Sequence, residues 1–411
     1  MARVLLLLPT TTYKTPDFLA AARQLRVDVA VASEKPSTLE RVNPGGFLTL
    51  DFRDPEDCAM RAAQFARTYP VDAVVGVDED TAVAAAVISR ALGLPHNPVH
   101  ATIAARHKAT MRRLLAEAAV PSPGHRVFDR DADPAEAALR VRFPCVLKPT
   151  FLAASRGVIR ANGPEEFVAA WARIRRLLGD PEVASKGGAA AREILVEDFV
   201  PGSEVAVEGL LREGNLKVLA LFDKPDPLDG PYFEETIYVT PSRLSGRLQD
   251  RIAQVASHGA RALGLRDGPV HAELRLNESG PWLIEMAARS IGGLCSRTLR
   301  FGTGLSLEEL ILRHALQIEM PVPERERRAA GVMMIPIPRA GALEEVRGVT
   351  EARAVADIEE VTISAHIGQT LVPPPEASRY PGFIFSRAAT PERAEAALRE
   401  AHALLEFRIR G

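Results

Sequence analysis

The stretch that decides the fold is Val270–Gly293, which reads VHAELRLNESGPWLIEMAARSIGG. Two short apolar runs joined by the turn Asn277–Pro281 predict a β-hairpin. Because side chains alternate between the faces of a strand, Glu273 and Glu285 can lie side by side on one face of this hairpin. Two carboxylates aimed at one point repel each other unless a cation lies between them. The pair therefore predicts a Mg²⁺ site, although a hairpin with solvated outward charges accounts for the same pattern.

Three residues around this pair extend the hypothesis. Arg289 follows the second acid by four residues, and a cation there can stabilise an anionic intermediate or a phosphoryl group, so Arg289 is a catalytic candidate. His271 precedes Glu273 by two residues on the same strand face, where a packed or hydrogen-bonded histidine is favoured over a catalytic one. Gly293 leaves space beyond Arg289, as a substrate pocket or a simple turn would require. Both His271 and Gly293 are candidates for substrate binding.

The composition limits the classes of function. A chain of 411 residues is expected to form two to four compact units. A net charge of −2 argues against a nucleic-acid partner, which would need a basic surface. No apolar stretch approaches membrane-spanning length, and the run Val4–Leu8 is short for a signal-peptide core. Three scattered cysteines form neither a disulfide framework nor a zinc spacing, which fits a reducing cytoplasm.

The first hundred residues predict a small doubly wound α/β domain. Short β-rich runs and alanine-rich segments with helical spacing alternate there, which indicates a parallel sheet with helices on both faces. The predicted strands are 3–9, 27–33, 47–52 and 71–77, and the predicted helices are 16–25, 55–68 and 80–92. Asp78, Glu79 and Asp80 follow the last strand, at the sheet edge where ligands bind. They are candidates for contact with a substrate amine, but placement in the first turn of a helix explains them as well.

The remaining chain predicts an α+β arrangement. A helix is expected around 101–118, strands are expected over 124–128, 144–149, 157–161 and 193–198, and a helix over 164–178. Strands 204–212 and 216–223 and the helix 244–263 precede the hairpin. Three strands after residue 329 and a closing helix over 391–406 complete the pattern. We expect four units, namely 1–100, 101–195, 196–320 and 321–411.

The chain has no standard phosphate-binding glycine motif. It contains no GxxxxGK[ST], and Gly302-Thr-Gly304 lacks both the third glycine and the strand context of a dinucleotide fingerprint. Lys148 instead ends a strand and precedes the small-residue loop TFLAASRG. Free backbone N–H groups, the Ser155 hydroxyl and Arg156 could close over phosphates there, although any hairpin loop contains such residues.

Two further segments carry candidate binding residues. In ILVEDFVPGSEVAVEG, Glu197 and the backbone at Phe199–Val200 could hydrogen-bond an adenine edge, and Glu204 could accept hydroxyls of a ribose; a turn with solvated acids is the alternative. In the polar loop 224–236, Lys224 could bind a phosphate or a carboxylate, and Glu235 could attract a free ammonium. Exposed loops also collect charges without any role in binding.

The order of these elements resembles the ATP-grasp superfamily of carboxylate–amine ligases over essentially the whole chain. The elements that carry the resemblance are Lys108, Lys148 with its loop, Glu197 to Glu204, Glu273, Glu285 and Arg289. The resemblance implies an ATP-grasp fold with an N-terminal doubly wound α/β domain, a small lid lobe and a C-terminal α+β lobe. Residues 101–195 would be the small lobe or lid, and residues 196–320 the large lobe with the metal site.

The resemblance also implies roles. Lys108 and Lys148 would contact the phosphates of ATP, with the loop 151–157, including Arg156 and the catalytic candidate Ser155, as a cover. Glu197, Phe199, Val200 and Glu204 would hold adenine and ribose. Glu273 and Glu285 would ligate Mg²⁺, with Mn²⁺ as an alternative, and Arg289 would steady an acyl phosphate.

One departure from the superfamily pattern points to a branch. The superfamily usually shows Glu-x-Asn-x-Arg, whereas this chain has Ala287 in place of the asparagine. A small residue there, the loop 222–242 and the C-terminal tail are similar to L-amino acid ligases, which make dipeptides. The implied reaction joins two amino acids, or an amino acid and an amine, through an acyl phosphate. A cytoplasmic enzyme acting on small molecules, with a homodimer plausible, is expected; the rival hypotheses are an ATP-grasp enzyme such as a biotin-type carboxylase or purine-pathway ligase, and a non-catalytic nucleotide-binding protein.

Overall fold

The N-terminal region is a doubly wound α/β unit, as predicted. The computed structural model describes residues 1–302, 304–320, 324–377 and 379–411. The elements of the first unit are β1 (Arg3–Leu7), α1 (Thr15–Leu25), β2 (Asp28–Ser33), β3 (Phe47–Thr49), α2 (Pro55–Thr68), β4 (Ala73–Gly76) and α3 (Glu79–Ala91). The strands form a parallel sheet in the order β3-β2-β1-β4. β1 is apolar and almost wholly buried because helices cover both faces of a parallel sheet.

Two helices follow where a single one over 101–118 was predicted. They are α4 (Val99–Arg106) and α5 (Lys108–Glu117). His107 between them has an extended backbone, and its ring nitrogen accepts a hydrogen bond from Thr110 N at 3.3 Å, so it caps the second helix. The break places Lys108 in the first turn of α5, where its backbone N–H donates to Thr150 O at 2.8 Å.

The small lobe is an antiparallel sheet covered by one long helix. Its elements are β5 (His125–Asp129), α6 (Pro134–Ala138), β6 (Cys145–Pro149), β7 (Ile159–Ala161), α7 (Pro164–Leu178), α8 (Pro181–Gly187), a 3₁₀ turn (Gly188–Arg192) and β8 (Glu193–Asp198). The strand order is β5-β8-β6-β7. The apolar face of α7, which includes Phe167, Trp171 and Ile174, forms the core of this lobe with the sheet.

The large lobe and the C-terminal region share one eight-stranded antiparallel sheet, in the order β13-β12-β9-β10-β11-β16-β20-β18. The elements up to the hairpin are β9 (Ser203–Arg212), β10 (Asn215–Lys224), β11 (Ile237–Thr240), α9 (Gly246–Leu263), β12 (Gly268–Asn277) and β13 (Gly280–Ala287). After a 3₁₀ turn (Cys295–Thr298) come β14 (Arg300–Phe301), β15 (Leu305–Ser306), α10 (Leu307–Ala315), β16 (Ala329–Met334), β17 (Gly341–Arg347), α11 (Val349–Arg353), β18 (Ile358–Ile363), β19 (Thr370–Leu371), β20 (Gly382–Ala388), α12 (Pro391–Ala403) and β21 (Glu406–Arg410).

The packing differs from the predicted division of the chain at two points. Residues from 101 onward were assigned to the lid lobe, but the apolar faces of α4 and α5 pack with α9 and β12 in the core of the large lobe. The predicted boundary at residue 321 does not separate two sheets either, because β16, β20 and β18 continue the large-lobe sheet beyond β11. In the described ranges, no helix combines the length and apolarity needed to cross a bilayer.

Candidate active site

A cavity of about 420 Å³ lies where the N-terminal unit, the small lobe and the large lobe meet, and the segment before β20 also contributes to its wall. All of the predicted site residues except Lys224 line it. The predicted residues in the wall are Lys108, Lys148, Ser155, Arg156, Glu197, Phe199, Val200, Glu204, Glu235, His271, Glu273, Glu285, Arg289 and Gly293. Residues that are spread over 186 positions of sequence therefore converge on one space.

The two acids of the hairpin lie directly opposite each other, as the alternation predicted. Glu273 on β12 pairs in register with Glu285 on β13, and a β-bulge follows Glu273. Lys108 Nζ lies 3.0 Å from Glu285 Oε1. Burial alone would raise the pKa of Glu285, but the charges of Lys108 and Lys148 outweigh it and lower the pKa. Burial acts the same way on Glu273, whose pKa is lowered chiefly by Lys224. Both side chains are therefore carboxylates at neutral pH.

A buried charge cluster holds the second predicted phosphate lysine. Glu197 Oε2 accepts a hydrogen bond from Lys148 Nζ at 2.7 Å, and its Oε1 accepts from Arg112 Nε at 2.6 Å. Burial would raise the pKa of Glu197, but Arg112 and Lys148 lower it to about 2. The sequence reasoning missed Arg112, although it lies one helical turn after Lys108 and so shares its face of α5.

The loop between β6 and β7 covers one side of the cavity. Ala154 and Ser155 both have left-handed backbone conformations, with φ of 55° and 53°. Lys108 Nζ donates to Leu152 O at 2.8 Å, so the loop is tied to one of the two lysines predicted to contact phosphates. The Nε atom of Arg156 is buried and has no hydrogen-bond partner among the described residues. The loop thus offers a hydroxyl and a guanidinium close to Lys108.

The segment that joins the small lobe to the large lobe is fixed by an arginine that sequence reasoning left out. Arg275 on β12 is buried, donates to Val200 O at 2.8 Å and lies 3.1 Å from Glu204 Oε2. Its guanidinium also lies 5.1 Å from the ring centroid of Phe199. The alternation of β12 was the available signal, because it places Arg275 on the face of Glu273. Arg275 holds the predicted adenosine segment in place.

Lys224 was predicted to contact a substrate, but it is buried and does not line the cavity. Its ammonium is buried among three carboxylates, at 2.7 Å from Glu204, 2.5 Å from Glu235 and 3.4 Å from Glu273. Burial would lower the pKa of Lys224, but these acids raise it well above its ordinary value. Its position among acids disfavours a phosphate or a substrate carboxylate. Glu235 also accepts a hydrogen bond from the Tyr238 hydroxyl at 2.7 Å, so the ammonium it meets here is that of Lys224.

The N-terminal unit contributes an acidic wall through the first turn of α3. Arg289 Nε donates to Glu79 Oε2 at 2.8 Å, which joins the predicted catalytic arginine to this wall. Behind it lies Lys14, a buried lysine that sequence reasoning did not select. Lys14 Nζ donates to Val77 O at 3.0 Å and to Ser290 Oγ at 3.1 Å. Burial lowers the pKa of Lys14. This lysine fixes the end of the hairpin to the parallel sheet.

Contacts within the protein account for the presence of His271 and Gly293 in the cavity wall. His271 Nδ1 lies 3.1 Å from the buried Glu208, and its Nε2 lies 3.5 Å from Glu273. Burial alone would lower the pKa of His271, but the two acids raise it. The hydrogen-bonded histidine favoured by the sequence is thus what the structure shows. Gly293 has φ of +58°, and an added Cβ would lie 2.9 Å from the ring of Phe383.

Comparison with known proteins agrees with this site. Family profiles match residues 19–96 to the ATP-grasp N-terminal domain, residues 141–298 to the ATP-grasp domain and residues 333–410 to the L-amino acid ligase C-terminal domain 2. The crystal structure of L-amino acid ligase from Bacillus licheniformis matches with a TM-score of 0.83 at 26% identity, covering 100% of this chain and 99% of that one.

Two curated relatives match over part of their length. Alanine–anticapsin ligase of Bacillus subtilis is 27% identical over 62% of this chain and 56% of its own length. Carnosine synthase 1 of Gallus gallus is 28% identical over 77% of this chain and 36% of its own length. The chain therefore spans about half, or less, of these two relatives.

The fold, the paired acids and the matched regions together define the class. The chain belongs to the ATP-grasp superfamily, and the relatives of known activity that it resembles are ATP-dependent ligases that form C–N bonds. Its C-terminal region and its overall structure resemble the L-amino acid ligase branch in particular.

Proposed function

We propose that this protein joins the carboxylate of one amino acid to the amino group of a second amino acid or an amine, with ATP as the energy source. The opposed pair Glu273 and Glu285, with Lys108 and Arg289 in the wall of the same cavity, is the observation that carries the proposal. Two ionised acids and two cations around one space suit a phosphoryl group that is handed from ATP to a substrate carboxylate.

The residues of the hairpin fit a magnesium ion. Mg²⁺ prefers oxygen ligands, and both acids are carboxylates at neutral pH. Glu273 and Glu285 would hold the ion, which would neutralise phosphate oxygens and polarise the transferred phosphoryl group. Ala287 offers no side-chain ligand, so oxygens of phosphate and water would complete the coordination. Mn²⁺, which accepts the same oxygen ligands, is the alternative.

The lysines would gain phosphate partners when ATP binds. Lys108 and Lys148 are each paired with a glutamate, at 3.0 Å and 2.7 Å, and each lines the cavity. Phosphate oxygens would take the remaining donor positions of both ammonium groups. Glu204 and the Phe199–Val200 backbone would hold the adenosine part, in an arrangement that Arg275 fixes.

The first chemical step would form an acyl phosphate. A carboxylate oxygen of the first substrate attacks the γ-phosphorus of ATP, and the bond between that phosphorus and the β,γ-bridging oxygen breaks to release ADP. Arg289 lies where its guanidinium can stabilise the charge on the new acyl phosphate. Ser155 and Arg156, on the loop over the cavity, would help to exclude water that would hydrolyse this intermediate.

The second step would form the amide. A neutral amino group attacks the acyl carbon, a C–N bond forms, and the C–O bond to phosphate breaks. As the tetrahedral intermediate collapses, the proton lost by the amine passes to the departing phosphate, which leaves as inorganic phosphate. Glu79, which lines the cavity and is paired with Arg289 at 2.8 Å, is our candidate for contact with a substrate ammonium.

The test is a screen for phosphate release over pairs of amino acids, followed by the mass of the product. We expect ADP and phosphate in equal amounts with a dipeptide, and an acyl hydroxamate when hydroxylamine replaces the amine. ADP release that depends on bicarbonate and on no amine would identify a carboxylase instead. Tight binding of ATP without turnover for any acid and amine would show a nucleotide-binding protein and overturn the proposal.

A further inference from the structure

If the proposed function holds and the acceptor is an amino acid, the site must bind a carboxylate that does not react. Most cations in the cavity wall already face a carboxylate of the protein. Those pairs are Lys108 with Glu285, Lys148 with Glu197, Arg275 with Glu204, Arg289 with Glu79 and Lys186 with Asp80. A substrate carboxylate would have to displace one of these acids or find another cation.

Arg379 is such a cation. It lines the cavity, is solvent-exposed, and donates through Nη2 to Thr11 O at 3.0 Å. Within the described ranges, no carboxylate lies within 4.0 Å of its guanidinium, so its remaining N–H groups are available to a ligand. Arg156 also lacks such a partner, but it belongs to the loop that is tied to the phosphate lysine Lys108.

The backbone around Arg379 is anchored on both sides of the cavity. Gly157 N in the small lobe donates to Pro375 O at 2.7 Å. Glu376 accepts two hydrogen bonds from Arg173 on α7, at 2.5 Å and 2.7 Å. A backbone held at these points restricts the space that the Arg379 side chain can sample, which lowers the entropic cost of ligand binding.

The other anchor lies in the N-terminal unit and leads back to the reacting groups. The Tyr13 hydroxyl lies 3.3 Å from both the backbone N and O of Tyr380. The next residue along the chain, Lys14, donates to Ser290 Oγ at 3.1 Å, and Ser290 follows Arg289 directly. Arg379 is thus connected through a short series of contacts to the residue proposed to stabilise the acyl phosphate.

We infer that Arg379 binds the α-carboxylate of the acceptor amino acid and so makes this ligase select amino acids over simple amines. The guanidinium matches a carboxylate in two parallel hydrogen bonds, which a lysine would not reproduce. An acceptor that lacks the carboxylate cannot form these charge-assisted hydrogen bonds and binds more weakly. The inference rests on the proposed function and names the chemistry of its second substrate.

The experiment compares each acceptor amino acid with its own α-amide, at a fixed acyl donor and saturating ATP. For the native protein we expect kcat/KM to favour the amino acid more than tenfold. Arg379→Ala should reduce that preference at least tenfold, mainly through KM for the amino acid, and Arg379→Glu should reverse it. Arg347→Ala, on the surface strand β17, is the matched control and should leave the preference unchanged. Arg156→Ala should raise KM for ATP and leave the preference in place.

An unchanged preference in Arg379→Ala would overturn the inference while leaving the ligase activity established. If no acid and amine pair gives turnover, the proposed function fails separately. Calorimetry then tests the role of Arg379 without turnover. The protein is titrated, in the presence of Mg²⁺–ADP, with the amino acids tested as acceptors or with their amides. Binding of an amino acid that is lost in Arg379→Ala and retained in Arg347→Ala supports it; equal binding to both variants, or no binding to the native protein, rejects it.

Discussion

The two sides of the cavity are built in different ways. On the proposed nucleotide side, Lys148, Arg112 and Glu197 are nearly fully buried, and the one carboxylate pairs with both cations. On the acceptor side, Arg379 is exposed and is held by a single contact to a backbone carbonyl, from a segment more than 360 residues away in sequence. Under the proposed function, the buried network would be preorganised for the phosphates of ATP, which every turnover presents. An exposed guanidinium on a loop can change between relatives without disturbing that network.

The largest effect should come from breaking the buried network at its centre. Glu197→Gln leaves the charges of Arg112 and Lys148 in the interior without a carboxylate, and loss of one partner of a buried ion pair costs about 3–5 kcal/mol. Urea unfolding, followed through the fluorescence of the buried Trp171 in the small lobe, measures this loss. Glu213→Gln, at an exposed turn, is the control. A loss below about 1 kcal/mol would contradict the assigned role of Glu197.

The same residue predicts how stability depends on pH. The pKa of Glu197 is lowered from 4.5 to about 2 in the folded protein, so its contribution is complete above pH 4.5 and is lost as the pH falls towards 2. The lowering corresponds to about 3 kcal/mol. The difference in unfolding free energy between the native protein and Glu197→Gln should therefore be constant above about pH 5 and should shrink below it. A difference that grows on acidification would contradict this sign.

The next largest effect should be on the rate of ADP formation and not on the free energy of unfolding. Glu285→Gln removes one charge of the metal pair, and we expect ADP formation to fall about 10²–10³-fold, as when a single preorganised electrostatic group is removed. Calorimetry should show weaker binding of Mg²⁺–ADP at the same time. Glu278→Gln, in the exposed turn of the same hairpin, provides the matched control. Near-native ADP release by Glu285→Gln would remove Glu285 from the metal site.

The sequence predicted features that depend on local patterns and missed those that depend on contacts between distant segments. Local patterns predicted the hairpin, the opposition of Glu273 to Glu285 and the parallel N-terminal sheet, because strand alternation and βα succession leave a direct trace in the sequence. Lys224 was read as a ligand group because nothing local shows that Glu204 and Glu273, from two neighbouring strands, surround it. Arg379 was not selected for the same reason, since its position depends on contacts with distant segments.

Substitution of Arg275 tests whether its contacts with Val200 and Glu204 support ATP binding. Arg275→Met removes the hydrogen bonds to Val200 O and Glu204, and hydrogen bonds to charged groups contribute about 1.5–3 kcal/mol each. We expect KM for ATP to rise at least tenfold, with KM for the acceptor little changed. Arg275→Lys keeps the charge but not the planar fork, so it should lie between the native protein and Arg275→Met. A rise confined to the acceptor KM would show that Arg275 serves the other side of the cavity.

The smallest effect should come from the contact that joins the two sides. Arg173 and Glu376 form a partly exposed pair between the small lobe and the acceptor segment, so a double-mutant cycle of Arg173→Ala and Glu376→Ala should give a coupling of about 0.2–1 kcal/mol. Because the small lobe also carries Lys148, breaking the pair should raise KM for ATP and for the acceptor together, by a few-fold each. Arg175→Ala, which breaks a pair with Asp131 inside the small lobe, should change neither. If only one KM moved, the two sides of the cavity would operate independently.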